Sequence, residues 1–175
     1  AMPCSEIVSL LRRYLPEDIG IYSCKDVSAR FHARLNAKTK TYMYRVWNSD
    51  RPCVFERKFV HIDSRRVDLS AMQRASTDFL GEHDFAPFCA NKNVKKSTVR
   101  YIHNFDIQRK GDEIIFTVTG NGFLHHMVRI MVGTLLAVGR GERQEDSIPL
   151  LFNGKRADTG ELVPACGLCL MEVTY

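Results

Sequence analysis

Residues 121 to 139, NGFLHHMVRIMVGTLLAVG, constrain the fold more than any other stretch. From Phe123 to Val138 the positions Leu124, Met127, Val128, Met131, Leu135 and Val138 recur at helical spacing and predict a buried helix. A helix this apolar must be covered by the rest of the chain. Its first two turns nevertheless carry His125, His126 and Arg129. A guanidinium keeps its proton at any ordinary pH, and burying one without a partner is costly. At i and i+4 on a helix, His125 and Arg129 share a face. Arg129 then either lies at the surface, snorkelling or paired with a carboxylate for structural reasons, or sits in a shielded site facing a fixed carboxylate or a ligand phosphate.

The remaining segments alternate between strand and helix. Residues 4 to 15 place Ile7, Leu10, Leu11, Tyr14 and Leu15 on one stripe, with Pro16 behind them, and predict an amphipathic helix. Residues 19–27, 37–47 and 54–62 read as strands, the second being rich in β-formers. Residues 68–81 predict a helix with Asp68 as N-cap and Gly81 just past its end. Residues 100–120 predict a hairpin turning at Lys110-Gly111-Asp112, 145–154 a short helix, and 167–175 an apolar closing strand. Interleaved elements with frequent hairpins give an α+β fold, with helices on one side of a mostly antiparallel sheet. No repeat, low-complexity segment or linker interrupts it, so a single domain over 1–175 is expected.

Composition excludes several classes. The 45% hydrophobic and 26% charged content suits a soluble globular domain. No apolar run approaches bilayer length, and the start lacks a signal peptide's charged and hydrophobic regions. Six cysteines scattered through apolar segments point to reduced thiols in a cytoplasmic protein. Opening on Ala1 and passing straight into a helix, the chain is expected either to carry one added residue or to begin in mid-protein.

Metal chemistry finds little support. Adjacent helical histidines diverge by about 100°, so His125 and His126 do not easily grip one ion. Cys166 and Cys169 form the one C-x-x-C; on a strand their thiols face opposite sides, and they read as core residues. No metal is expected.

The strand at 37–47 is more informative. Lys38, Lys40, Tyr42 and Tyr44 alternate onto one face, where two cations and two aromatic rings suit a phosphate and a stacked base. Strand tyrosines are also common core residues; Tyr44 reads as structural, whereas Tyr42 is open between the two roles. Arg30, His32 and Arg34 lie just upstream, and Lys92, Lys95, Lys96 and Arg100 form a second basic run. Such runs are ordinarily solvated loops, but two of them bracketing an aromatic face suit an RNA-binding groove. The formal net charge of +5 is compatible with an anionic partner without requiring one.

Taken in order, FHARLNAKTKTYMYRVWN, FLGEHDFAPF, NGFLHHMVRIMVGTLLAVGRG and GLCLMEVTY resemble the C-terminal part of the tRNA pseudouridine synthase A (TruA) family. The resemblance runs from near residue 5 to residue 175. It implies isomerisation of uridine to pseudouridine in the anticodon stem-loop of tRNA, without metal or organic cofactor, by a homodimer with the tRNA lying across both subunits. Carried over by position, it implies that Tyr42 stacks on a flipped uridine and Arg129 orients the catalytic aspartate, with His125 as a further substrate contact. Arg30, Arg34, Lys38, Lys40, Lys95, Lys96 and Arg100 would line the RNA path. The family's catalytic aspartate lies in a motif close to GRTDAGVHA, which these 175 residues lack, and neither Asp26 nor Asp84 has a matching context. A C-terminal portion of a longer synthase is therefore expected. The alternatives are an RNA-binding module without catalysis, or a structural domain with merely solvated basic loops.

Overall fold

A computed structural model describes residues 2–91 and 95–175. The chain divides into two compact units, Ala1–Asn36 and Ala37–Tyr175. In the first, helix α1 (Cys4–Tyr14) opens at Pro3, whose carbonyl accepts from the Glu6 and Ile7 N–H groups. The strand expected over residues 19–27 does not form. Arg12 instead donates to the Ile21 and Tyr22 carbonyls at 2.9 and 3.3 Å, and Tyr22 is 94% exposed. A strand needs a ladder partner and usually a buried face; here a guanidinium takes two of the carbonyls instead.

The second unit is built on one sheet: β1 (Thr39–Trp47), β2 (His61–Ile62), β3 (Gly81–Asp84), β4 (Val99–Lys110), β5 (Glu113–Gly120) and β6 (Leu168–Thr174). Its order is β2-β1-β5-β4-β3, with β6 also paired to β1. All pairings are antiparallel except β1 with β2. Tyr44, Phe116 and Ile107 stand in register across β1, β5 and β4, and their face joins one core with α2 (Leu69–Ser76) and α3 (Met127–Gly139). The other face is more polar. Thr41 and Thr119 share a hydroxyl hydrogen bond at 2.9 Å, and Arg45 grips Glu113 through two bonds of 2.8 and 2.6 Å. The expected α+β architecture is the one observed.

Local signals explain the elements that fall where expected. Lys110 pairs with Glu113 around a two-residue turn in which Gly111 adopts φ +59°, cheap only for glycine. Asp68 caps α2 by accepting from the Ala71 N–H at 3.0 Å.

Other elements differ from expectation. The helix from Asp68 ends at Ser76 and tightens into a 3₁₀ turn (Thr77–Phe79), because Ser76 and Thr77 hydroxyls bond back to the Gln73 and Arg74 carbonyls. Gly81, at φ +90°, then opens β3, which the sequence reading missed. Of the strand expected at 54–62, only His61 and Ile62 pair. β6 already occupies that edge of β1 from Thr39 to Tyr44, leaving Val46 and Trp47 for β2. Residues 145–154 yield a 3₁₀ turn (Glu145–Ser147) followed by one helical turn, α4 (Ile148–Leu151).

Residues 159–164 cross α3 at close range. A Cβ at Gly133 would collide with the Glu161 carbonyl, and one at Gly160 with the Thr134 backbone. Thr134 Oγ1 donates to the Ile130 carbonyl at 2.8 Å and accepts from the Gly160 N–H at 2.9 Å. The crossing has a functional consequence, because it sets the position of the Val163 carbonyl.

Beneath β2, Asp63 and Arg140, whose side chains are 4% and 6% exposed, form an ion pair extended by Arg65, Glu142 and Glu161. Burial works to raise the Asp63 pKa, but hydrogen bonds from Arg65 and the charges of Arg65 and Arg140 hold it below the usual carboxylate value. His61 is half-buried nearby, with its Nε2 unpartnered among the described residues. Burial lowers its pKa, Arg65 and Arg140 adding to the effect against Asp63 and Glu161. The folded state thus binds this proton less readily than the unfolded chain. Stability contributed here is complete above the ordinary histidine value of about 6.5 and declines as pH falls through it toward the lowered folded value. Urea unfolding of His61→Gln should therefore show a shallower loss of stability between about pH 7 and 5 than the parent chain; an equal slope would remove His61 as its source.

Candidate functional site

A cavity of about 160 Å³ opens where β1, β6 and the start of α3 meet, lined by Tyr42, Phe123, Leu124, His126, Arg129 and Leu168 among others. Each side chain arrives for a local reason. Tyr42 sits on β1 between Val118 of β5 and Leu170 of β6. Alternation turns its half-buried ring to the core side, where its edge meets Phe123 at 5.1 Å and 84°. Tyr44, two residues on, is fully buried, and its hydroxyl donates to the Pro164 carbonyl at 2.7 Å. Burial raises the Tyr44 pKa well above the usual phenol range, with Arg129 pulling the other way. Tyr44 is thus a core residue, as its structural reading expected, and Tyr42, left open by the sequence, borders the cavity.

Helix α3 begins at Met127, not at Phe123. His126 adopts φ +63°, a left-handed conformation that histidine enters more readily than most non-glycine residues, and the helix starts behind it. Phe123 to His126 are therefore non-helical, and the i, i+4 face proposed for His125 and Arg129 does not exist. His125 is exposed, and its carbonyl accepts from the Ala90 N–H at 3.1 Å. His126 faces the cavity instead, its ring stacked on His125 at 3.7 Å. Its Nδ1 is buried without a partner among the described residues. Burial, then the charges of His125 and Arg129, lower its pKa, so the ring is neutral at pH 7. Sequence reasoning missed His126 as the cavity residue, because nothing in the sequence marks the left-handed backbone at His126 that delays the helix.

Arg129 occupies the first turn of α3 and is half-buried. Its Nε donates to the Val163 carbonyl at 2.7 Å. Among the described residues no carboxylate lies within 4.0 Å of it. The first turn also carries the positive end of the helix dipole, so two positive features converge with no carboxylate of the described residues beside them. The carbonyl fixes the plane of the guanidinium, and the rest of the fork is left for an acceptor from elsewhere.

The basic residues are distributed more widely. Lys38 is exposed at the entry to β1, and Lys40 is half-buried on the Tyr42 face. Lys95 and Lys96 are exposed; Arg100, half-buried on β4, donates to the Ser97 and Val99 carbonyls and lies against Gly122. Arg30 and Arg34 are exposed in the first unit. Lys92 lies outside the described residues. Among the described residues no group of three metal-ligating side chains assembles. Cys166 and Cys169, expected in the core, are exposed, Cys166 on a 3₁₀ turn (Ala165–Gly167) with its thiol donating to the Val60 carbonyl and Cys169 on β6. The bulged, largely exposed β6 has little buried face to offer them. No helix among the described residues is long and apolar enough to cross a membrane.

Comparison with known proteins agrees with the resemblance carried by the motifs. The sequence pattern of the tRNA pseudouridine synthase family matches residues 75–175, more than half of the chain and all of the α3 region. The chain belongs to the tRNA pseudouridine synthase family. Over 159 residues it is 44% identical to tRNA pseudouridine synthase A of Halalkalibacterium halodurans, covering 90% of this chain and 60% of that protein. Over 166 residues it is 42% identical to tRNA pseudouridine synthase A 1 of Bacillus cereus, covering 94% and 67%. The Clostridium tetani protein of the same name is 43% identical over 161 residues, covering 91% and 66%. The chain thus spans about three-fifths to two-thirds of the length of these relatives.

Proposed function

We propose that this chain is the Arg129-bearing portion of an enzyme that isomerises uridine to pseudouridine in the anticodon stem-loop of tRNA, its nucleophilic aspartate coming from outside these 175 residues. The observation that carries this reading is the half-buried Arg129, held by one carbonyl with no carboxylate of the described residues within 4.0 Å, beside a cavity walled by Tyr42. The names of the relatives, all tRNA pseudouridine synthase A, support the reaction and the substrate.

In this reaction the N1–C1′ bond breaks, the uracil turns over, and C5 bonds to C1′; C5 gives up its proton and N1 takes one. No atom is gained or lost overall, so the protein must extrude the base, hold it and stabilise charge while it is detached. Tyr42, braced edge-on by Phe123, stacks on the flipped base. Arg129 pairs with the aspartate and fixes its direction of attack. Neutral His126 borders the base without adding a charge, and His125 contacts the neighbouring nucleotide. Arg30, Arg34, Lys38, Lys40, Lys95, Lys96 and Arg100 neutralise backbone phosphates. The reading includes a homodimer sharing the tRNA, a cytoplasmic site of action, and neither metal nor cofactor.

The alternative, an RNA-binding module without catalysis, is favoured by one observation: the family's aspartate motif is not among these residues. The test joins the chain to the N-terminal portion of a relative and follows single-turnover release of the C5 proton from tRNA. The chain alone should be inactive and the joined protein active; an inactive joined protein that still binds tRNA would favour the alternative. Within the active protein, Tyr42→Ala should slow turnover by about 10- to 100-fold, the equivalent of about 1–3 kcal/mol of base stacking, while Tyr42→Phe stays within a few-fold. Equal effects of the two would remove stacking as the role.

A further inference from the structure

We propose that a second cleft in the 37–175 unit is a phosphodiester subsite for the RNA strand, with Arg156 as its principal ligand; this rests on the tRNA reading above. The cleft measures about 620 Å³, and Asp84, Asn91, Lys96, Ser97, Thr98 and Arg156 are the polar side chains of its wall. Arg156 is half-buried on a 3₁₀ turn (Arg156–Asp158). Its Nη1 donates to Thr159 Oγ1 at 2.8 Å and to the Gly160 carbonyl at 2.9 Å. As with Arg129, no carboxylate lies within 4.0 Å among the described residues. Burial lowers its pKa. A guanidinium remains charged all the same, so the site holds a permanent cation fixed from behind by two neutral acceptors.

The rest of the wall suits a phosphate. Lys96 is exposed and adds a second positive charge. Ser97 Oγ accepts from the Val99 N–H at 3.2 Å, which leaves its own proton to donate. Asp158, close in sequence, is engaged with the Lys155 N–H at 2.6 Å. Asp84 is the one acidic group on the wall, and its Oδ1 accepts from the Ala86 N–H at 2.9 Å. That carboxylate opposes additional negative charge, favouring a singly charged phosphodiester over a free phosphate.

The cleft also adjoins the Tyr42 cavity. Ala90, between the wall residues Cys89 and Asn91, donates to the His125 carbonyl. Arg100, next to the wall residue Val99, lies against Gly122. The 121–126 turn is thus a common border, and a strand with one base in the cavity can lay its backbone over that turn. One segment aligns both guanidiniums: Arg156 is tied to Thr159 and Gly160, while Val163, three residues on, holds Arg129.

The test is NMR titration of the ¹⁵N-labelled chain, first with a short single-stranded oligouridylate and then with inorganic phosphate. The oligouridylate should shift the Ser97 and Thr98 amides and the Arg156 Nε–H. Lys96→Gln, an exposed change that spares the fold, should weaken binding several-fold and flatten the log–log salt slope by about 0.7. Arg156→Lys should also weaken binding, because an ammonium keeps the charge but loses the fork. Shifts confined to the surroundings of Tyr42 and Arg129 would overturn the cleft assignment and leave the proposed function intact. Equal response to phosphate and oligouridylate, with RNA affinity unchanged in both variants, would make this a free-phosphate site and overturn the RNA assignment. No response to oligouridylate or tRNA anywhere in the chain would overturn both.

Discussion

Arg129→Ala, in this chain joined to an aspartate-bearing N-terminal portion, is expected to lower single-turnover isomerisation by about 10²- to 10³-fold, the usual cost of removing one preorganised electrostatic group. The tRNA dissociation constant should change only a few-fold. The split follows from geometry: one half-buried guanidinium, aimed by the Val163 carbonyl at 2.7 Å, makes a small part of any RNA footprint but would be the sole orienting partner of the nucleophile. Arg129→Lys should rescue little, because an ammonium cannot reproduce the planar fork. Tritium release from C5-labelled uridine in tRNA measures the rate, and filter binding measures the affinity. Turnover near the parent rate would sink the role assigned to Arg129; equal losses in rate and affinity would make it a binding residue instead.

Gly133→Ala and Gly160→Ala should each destabilise the chain by about 3 kcal/mol or more, as overpacking against rigid neighbours does. At Gly133 the added methyl meets the Glu161 carbonyl, and at Gly160 it meets the Thr134 backbone; neither neighbour can rotate away. Helix propensity makes the first case a sharp test. Alanine in the interior of a helix is favoured over glycine by about 1 kcal/mol, so without the crossing segment Gly133→Ala would be stabilising. Urea denaturation decides the sign. A stabilised Gly133→Ala would mean that residues 159–164 do not lie across α3, and the aim of Arg129 would lose its support.

The elements legible in the sequence are those whose signal is local. Alternation marks β1 and β5, Gly111 marks the hairpin turn, and Asp68 marks the start of α2. Where a neighbour decides, the reading drifts. Residues 54–62 carry a strand pattern but find most of the β1 edge occupied by β6, and residues 19–27 lose carbonyls to Arg12. The start of α3 was misjudged because apolar spacing continues through Phe123 and Leu124, whereas the left-handed His126 breaks the helix. Cys166 and Cys169 read as core because their neighbours are apolar, yet β6 exposes most of its residues.

Sequence alone determined that α3 is buried and that Tyr42 and Tyr44 share a strand face, and it raised the question of what the permanent charge of Arg129 meets. Periodicity and side-chain chemistry are local properties, and each of these conclusions depends on nothing else. Only the tertiary structure decided what Arg129 touches: a carbonyl 34 residues away, with no carboxylate of the described residues beside it. It also decided that His126 rather than His125 meets the cavity, and that Arg156 joins the same arrangement. The Arg129 and Arg156 contacts hang on the close crossing of residues 159–164 over α3, permitted by Gly133 and Gly160. A missing side chain allows an approach but does not name its partner, so no reading along the chain reveals which backbone will fill the space.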